Sequence, residues 1–282
     1  MRKAVWLNKK VNLVKTYHVK SLLRNAAVNT VCEVSLCPNL SECFGKGVVT
    51  FMILGKICTR SCAFCAVDKA VPLPVDPGEP VRISAMLTQL NLSHVVITSP
   101  TRDDLPDGGA DIFCQTVERI RAVRPEIKIE LLIPDFCGNE NILEKIAVSG
   151  ADIIGHNLET VPRLYPKVRQ AACYQQSLNV LKMVKTFNPK LYTKSGLMLG
   201  LGEREEEVRS CLLALREQEC DFLTLGQYLA PSVKHFPVNQ FIPPAKFLFW
   251  QEEAAKLGFR GVKSAPYVRS SYRADTFLPT AK

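Results

Sequence analysis

Apolar residues along this chain follow two alternating patterns. Short unbroken runs of β-branched and aliphatic residues fall at positions 48–54, 94–98, 127–133, 152–156, 191–199 and 221–225, as strands buried on both faces of a parallel sheet require. Between and after them, stretches at 81–92, 111–124, 139–149, 174–187, 203–218 and 244–257 place apolar residues three and four apart, the spacing of a helix with one buried face. Strand and helix in repeated succession predict an α/β fold with a parallel sheet and right-handed crossovers. Six strands are too few to close an eight-stranded barrel, so the expectation is a partial (β/α)6 barrel of the TIM type rather than a doubly wound sheet. Residues 47–258 make this body, with an N-terminal arm over 1–46 and a C-terminal tail over 259–282 outside the repeating pattern. The Pro-rich stretch 71–80 reads as a loop.

Composition narrows the class. The chain has 282 residues, 47% of them hydrophobic and 22% charged, which excludes a disordered chain and suits a domain with a sizeable core. No apolar run approaches the ~18 residues of a membrane span, and no secretory segment is evident; the expectation is a cytoplasmic protein that does not enter a membrane. Net charge is +9, unevenly placed. Residues 1–31 carry +7 and residues 260–282 carry +4, leaving −2 for the body. Basic ends either steer an acidic partner or are ordinary solvated surface.

The cysteines carry the chemistry. There are 11, an odd number that argues against a disulfide scaffold. Six lie within 34 residues: Cys32, Cys37, Cys43, Cys58, Cys62 and Cys65. Metal ligation in a reducing compartment is the natural reading. Cys114, Cys137, Cys173, Cys211 and Cys220 have no ligand spacing and read as buried structural thiols. Cys58, Cys62 and Cys65 form a C-x3-C-x2-C run directly after the first strand; three thiolates can hold three irons of a 4Fe-4S cluster and leave the fourth open for chemistry. Structural zinc would more often use paired C-x2-C elements or histidine, and no histidine lies close to these cysteines in the sequence.

The run Cys58-Thr59-Arg60-Ser61-Cys62-Ala63-Phe64-Cys65, placed after the first strand of a six-fold βα chain, resembles the signature of radical S-adenosylmethionine enzymes. The resemblance implies that Cys58, Cys62 and Cys65 hold a 4Fe-4S cluster, that S-adenosylmethionine chelates its open iron, and that Phe64 packs near the adenine. The second triad, Cys32-x4-Cys37-x5-Cys43, together with Arg269-Ser270-Ser271-Tyr272, is similar to the auxiliary-cluster motifs of the lipoyl synthase family. That likeness implies a second 4Fe-4S cluster held by Cys32, Cys37, Cys43 and Ser271, and a sulfurtransferase that inserts two sulfur atoms at carbons six and eight of an octanoyl-lysine. It further implies that the auxiliary cluster is the sulfur source and that two S-adenosylmethionine molecules are consumed per lipoyl group. The implied partners are octanoylated lipoyl carriers, namely the lipoyl domains of 2-oxoacid dehydrogenase complexes and the glycine cleavage H protein. An electron donor such as ferredoxin or flavodoxin is implied as well.

Other residues are read from position. Asn157 and Glu159 follow the fourth strand, where parallel-strand enzymes place their chemistry; they either touch the cofactor's ribose or amino group or cap the next helix. Lys194 lies in the fifth strand, and an unpaired buried lysine is costly, so it either meets the cofactor carboxylate or forms a buried pair. His156 reads as a strand-end histidine satisfied by neighbours. Asp103 and Asp104 either bind the cofactor's amino group or belong to an internal ion pair. Gly200-x-Gly202 is no dinucleotide fingerprint, since the third glycine is missing and four acids follow closely. Three other classes fit less. A radical enzyme acting on a free small molecule does not explain the second triad, a zinc-bearing nucleic-acid binder does not explain the βα units, and an electron-transfer protein would supply a fourth cysteine to each triad.

Overall fold

The structure is a computed structural model that describes residues 4–8, 13–46, 48–90 and 92–278. Its body repeats strand and helix: β1 (Thr50–Met52), α1 (Glu79–Leu90), β2 (His94–Thr98), α2 (Ala110–Val123), β3 (Lys128–Leu132), α3 (Glu140–Ala147), β4 (Ile153–Gly155), α4 (Tyr174–Phe187), β5 (Tyr192–Leu199), α5 (Glu205–Glu217), β6 (Phe222–Gln227) and α6 (Pro244–Lys256). The strands pair in chain order and in parallel, with Thr50 opposite Val96 and Lys194 opposite Phe222. First and last strands do not pair, so the sheet is an open partial barrel.

Two features go beyond the sequence pattern. A seventh parallel strand, β7 (Gly261–Ser264), adds to β6, within the segment expected to be tail. At the other edge, Asn29–Thr30 of the arm pairs antiparallel with β1, and Leu23, Val28 and Phe44 enter the same core as Phe51, Val95 and Ile129. The arm is thus part of the barrel wall. A second core cluster fills the half built on β5, β6, α5 and α6.

The tail runs the length of the open barrel. Close to the rim, the carbonyl of Val268 lies where a Cβ on Gly226 would stand only 2.0 Å away, so only glycine lets the tail seat on β6. At the foot, Phe277 packs against Phe222 with ring centroids 5.0 Å apart, and Leu278 is buried with Ile153 and Phe222. The foot also holds a buried charge pair, Lys194 Nζ donating to both carboxylate oxygens of Glu130 at 2.7 and 2.8 Å. His94 Nε2 lies 3.6 Å from Glu130, and Lys194 and Lys263 both stand over the Phe277 ring.

Candidate active site

The C-terminal ends of the strands form a rim that gathers both cysteine triads. After β1 the chain turns at Leu54 and Gly55, both with positive φ, where the Leu54 N–H donates to Glu79 Oε2 at 2.6 Å. Short strands Ile57–Cys58 and Asp68–Lys69 then pair and close a loop that carries Cys58, Cys62 and Cys65. Arg60 pins this loop. Its guanidinium donates to Asp103 at 2.7 and 2.8 Å and to Asp135 at 2.7 Å twice, a two-carboxylate fork of the strongest kind of side-chain hydrogen bond. Thr59 N and Ala63 N add backbone bonds to Thr101 and Val168.

Asp103 is therefore engaged within the protein, and Arg102 likewise binds Asp104 bidentately at 2.8 Å. The internal ion pairs account for this loop. Arg60 fills the loop between the first two cysteines, yet its partners lie 43 and 75 residues away, so spacing alone gave no sign of the clamp.

The second triad lies on the arm. Thr30 caps the helix Val31–Val34 by accepting from Glu33 N at 3.3 Å; Cys32 is within that helix, Cys37 follows a left-handed turn at Leu36, and Cys43 lies in the helix Leu40–Gly45. The tail crosses this triad. Asn39 Nδ2 donates to the Tyr267 carbonyl at 2.6 Å, and the Tyr272 hydroxyl donates to Glu42 Oε1 at 2.9 Å. Ser271 is held between these ties.

One cavity of about 400 Å³ is reached by both triads, through Cys32 and Cys37 from the arm and Cys65 from the loop, and is also lined by Phe64, by Asn157 and Glu159 from the rim, and by Ser270 and Ser271 from the tail. Burial pushes the Cys32 thiol up to about 12 and Cys65 to about 11, and Cys62 upward too, each raised further by the other cysteines of its triad. Sulfurs that feel one another's charge need a cation to hold them as thiolates. No three His, Cys, Asp or Glu among the described residues converge as ligands of a single ion do. A four-iron cube takes its thiolates at separate corners rather than at one ion, and an all-sulfur donor set is the soft kind that such clusters take.

Asn157 and Glu159 cap no helix. Asn157 Nδ2 donates to Glu159 Oε1 at 2.9 Å and to Ser270 Oγ at 2.5 Å, and the short helix that follows is capped at Val161 without a side chain. Burial raises the Glu159 carboxyl despite the nearby Arg169, whose Nη1 donates to the Asn157 carbonyl at 3.0 Å, Tyr165 and Ser177. His156 is satisfied, with Nδ1 at 2.9 Å from the Ile133 carbonyl and Nε2 at 3.1 Å from Ser177 Oγ. Lys194 is not at this cavity: its pairing with Glu130 at the barrel foot commits all its charge there, and the buried-pair reading replaces the cofactor-carboxylate one. Of the five scattered cysteines, Cys211 and Cys220 are buried and Cys114 half-buried, but Cys137 and Cys173 are exposed. Cys137 sits in a left-handed turn beside the clamp, with Sγ 3.6 Å from Arg60.

Comparison with known proteins settles the family. Over 278 residues the chain is 52% identical to a lipoyl synthase of a Geobacter species, covering 99% of this chain and 95% of that one. It is 48% identical to a lipoyl synthase of Caldanaerobacter subterraneus across 100% of this chain and 99% of that one.

The chain belongs to the lipoyl synthase family.

The sequence profile of the radical SAM superfamily also matches residues 52–215, from β1 into α5. A crystal structure of methylornithine synthase superposes with a TM-score of 0.55 at 14% identity, covering 93% of this chain and 87% of that one, a likeness of fold. Membership in this superfamily implies a 4Fe-4S cluster and S-adenosylmethionine, and Cys58, Cys62 and Cys65 lie within the matched span. No helix among the described residues is long and apolar enough to cross a membrane.

Proposed function

We propose that this chain inserts two sulfur atoms, at carbons six and eight, into an octanoyl group carried on the lysine of a lipoyl carrier protein. The observation that carries the reading is a cavity lined by members of both triads, Cys32 and Cys37 of one and Cys65 of the other, together with Ser271. Such carbons are not usefully acidic, so acid–base groups cannot activate them. When bound, a reduced cluster and S-adenosylmethionine together supply a radical strong enough to remove hydrogen from unactivated carbon.

The protein's own part is positioning. Cys58, Cys62 and Cys65 hold the first cluster and leave one corner open, on a loop that the Arg60 clamp fixes to the rim. Phe64, half-buried and packed on the second core, offers a face for adenine. Asn157 and Glu159 line the cavity at the rim, where they would meet the cofactor's polar groups. Cys32, Cys37, Cys43 and Ser271 would hold a second 4Fe-4S cluster, the sulfur source. A serine oxygen is a weak, hard ligand for iron, suited to a group that must give up sulfide. Two S-adenosylmethionine molecules are consumed per lipoyl group, one for each hydrogen removed.

Carriers of the proposed kind are the lipoyl domains of 2-oxoacid dehydrogenase complexes and the glycine cleavage H protein, with ferredoxin or flavodoxin as electron donor. The test is a mass spectrum of an octanoyl-lysine peptide after anaerobic incubation of the reconstituted protein with S-adenosylmethionine and a strong reductant. Two sulfurs gained with 5′-deoxyadenosine formed is the expected result. 5′-Deoxyadenosine with an unchanged peptide discards the substrate, and neither product discards the radical reading.

A further inference from the structure

One side chain joins the rim to the tail. Both amide hydrogens of Asn157 are spent, one on Glu159 Oε1 at 2.9 Å and the other on Ser270 Oγ at 2.5 Å, and Ser270 immediately precedes Ser271. The rim side of this link is rigid. Glu159 holds a positive φ of 65°, its N–H donates to the Gly196 carbonyl and its own carbonyl accepts from Met198 N, each at 2.9 Å. A Cβ on Gly196 would stand 3.1 Å from Asn157 Oδ1 and 2.6 Å from Thr224 Oγ1, so the amide is packed closely against β5.

The tail side is held by separate ties, among them the Asn39–Tyr267 bond and the charge of Arg269 acting on Glu159. Val268 lies against Gly226 and Tyr272 reaches Glu42; between them, Ser270 is tied back to the sheet by Asn157. Any group that occupies the cavity beside Glu159 restricts the Asn157 amide and so acts on Ser270 through a shared donor. Ligand binding and tail retention are then linked, and the linkage works in both directions.

We propose that Asn157 and Ser270 are positioning residues that couple occupancy of the cofactor rim to the seating of the Arg269–Tyr272 segment, so that Ser271 is held over the second triad while S-adenosylmethionine is bound and freed when it has gone. The inference rests on the assignment of the rim to that cofactor and goes beyond it by giving the first serine of the tail a task distinct from iron ligation.

The test uses the full chain with both triads reconstituted, anaerobic and without reductant or carrier, so that nothing turns over. Hydrogen exchange of a peptide spanning residues 266–273 is followed with and without S-adenosylmethionine, alongside calorimetric binding of the same compound. In the unaltered protein, cofactor slows exchange of this peptide. Ser270→Ala is expected to bind S-adenosylmethionine about fivefold more weakly, the worth of one ordinary hydrogen bond, and to lose the exchange response. Ser270→Thr, which keeps the hydroxyl, restores both. An exchange response in Ser270→Ala equal to that of the unaltered protein overturns the coupling while leaving the cofactor site standing. Failure of the unaltered protein to bind S-adenosylmethionine overturns the rim assignment and the coupling together.

Discussion

Ser271 and Cys37 face the same cavity, yet oxygen and sulfur bind iron very differently. Thiolate is soft and holds iron firmly, whereas a serine oxygen is the weaker partner. Ser271→Cys is therefore expected to keep its iron through purification and to slow sulfur insertion, measured as lipoyl product per chain in a single turnover; a variant running at the full rate would remove lability from the explanation. At the same scale, His156 sets a pH limit. Burial, with Arg169 second, pushes its imidazole down to about 4 from an ordinary 6.5. Between those values the unfolded chain takes up a proton that the folded chain refuses, so stability present above 6.5 is lost as pH falls toward 4. The loss reaches about 3 kcal/mol. Thermal denaturation of the unaltered protein and His156→Gln from pH 7 to 4 checks this, the variant giving the shallower decline.

Among the elements, the loop between β1 and α1 owes its place to a fork that bridges the ends of β2 and β3. Arg60→Gln removes the partner of Asp135, a carboxylate that is almost wholly buried, and breaking such a pair costs about 3–5 kcal/mol. Iron at Cys58, Cys62 and Cys65 is expected to leave to a chelator about tenfold faster or more, while iron at Cys32, Cys37 and Cys43 leaves at its former rate; loss of both together would show only general unfolding. This fork also shows where sequence reading stops. β2 matches its predicted limits and α4 does too, because continuous apolar runs and a clean helical period leave one solution. β7 has no strand signature because Gly261-Val262-Lys263-Ser264 has a single aliphatic residue and borrows its burial from Phe277. The cysteines were legible from spacing within a dozen residues. Arg60 with Asp135, and Asn157 with Ser270, are 75 and 113 residues apart, and nothing in local pattern announces a partner at that range.

The whole molecule is closed by a tail that binds the rim at one end and the foot at the other. The Glu130–Lys194 pair lies at that foot, 1% and 2% exposed, with Phe277 over the ammonium group. Removing Glu130 alone leaves a buried charge and is expected to cost about 3–5 kcal/mol. The joint variant Glu130→Leu with Lys194→Met is expected to fold at near-normal stability in urea and to bind S-adenosylmethionine unchanged, as a residue remote from the cavity should. Loss of binding in a folded joint variant would return Lys194 to the cofactor.

The ties from tail to arm carry a consequence for how the protein is made. Asn39 waits for Tyr267, and Glu42 for Tyr272, across 228 and 230 residues of chain. Synthesis proceeds from the arm onward, so Cys32, Cys37 and Cys43 leave the ribosome long before the segment that covers them exists. For that interval three thiols stand bare to oxidants and to stray copper or zinc, and contacts of such long separation form slowly even once the chain is complete. The arm's cysteines thus pass through a period of exposure that the finished fold conceals.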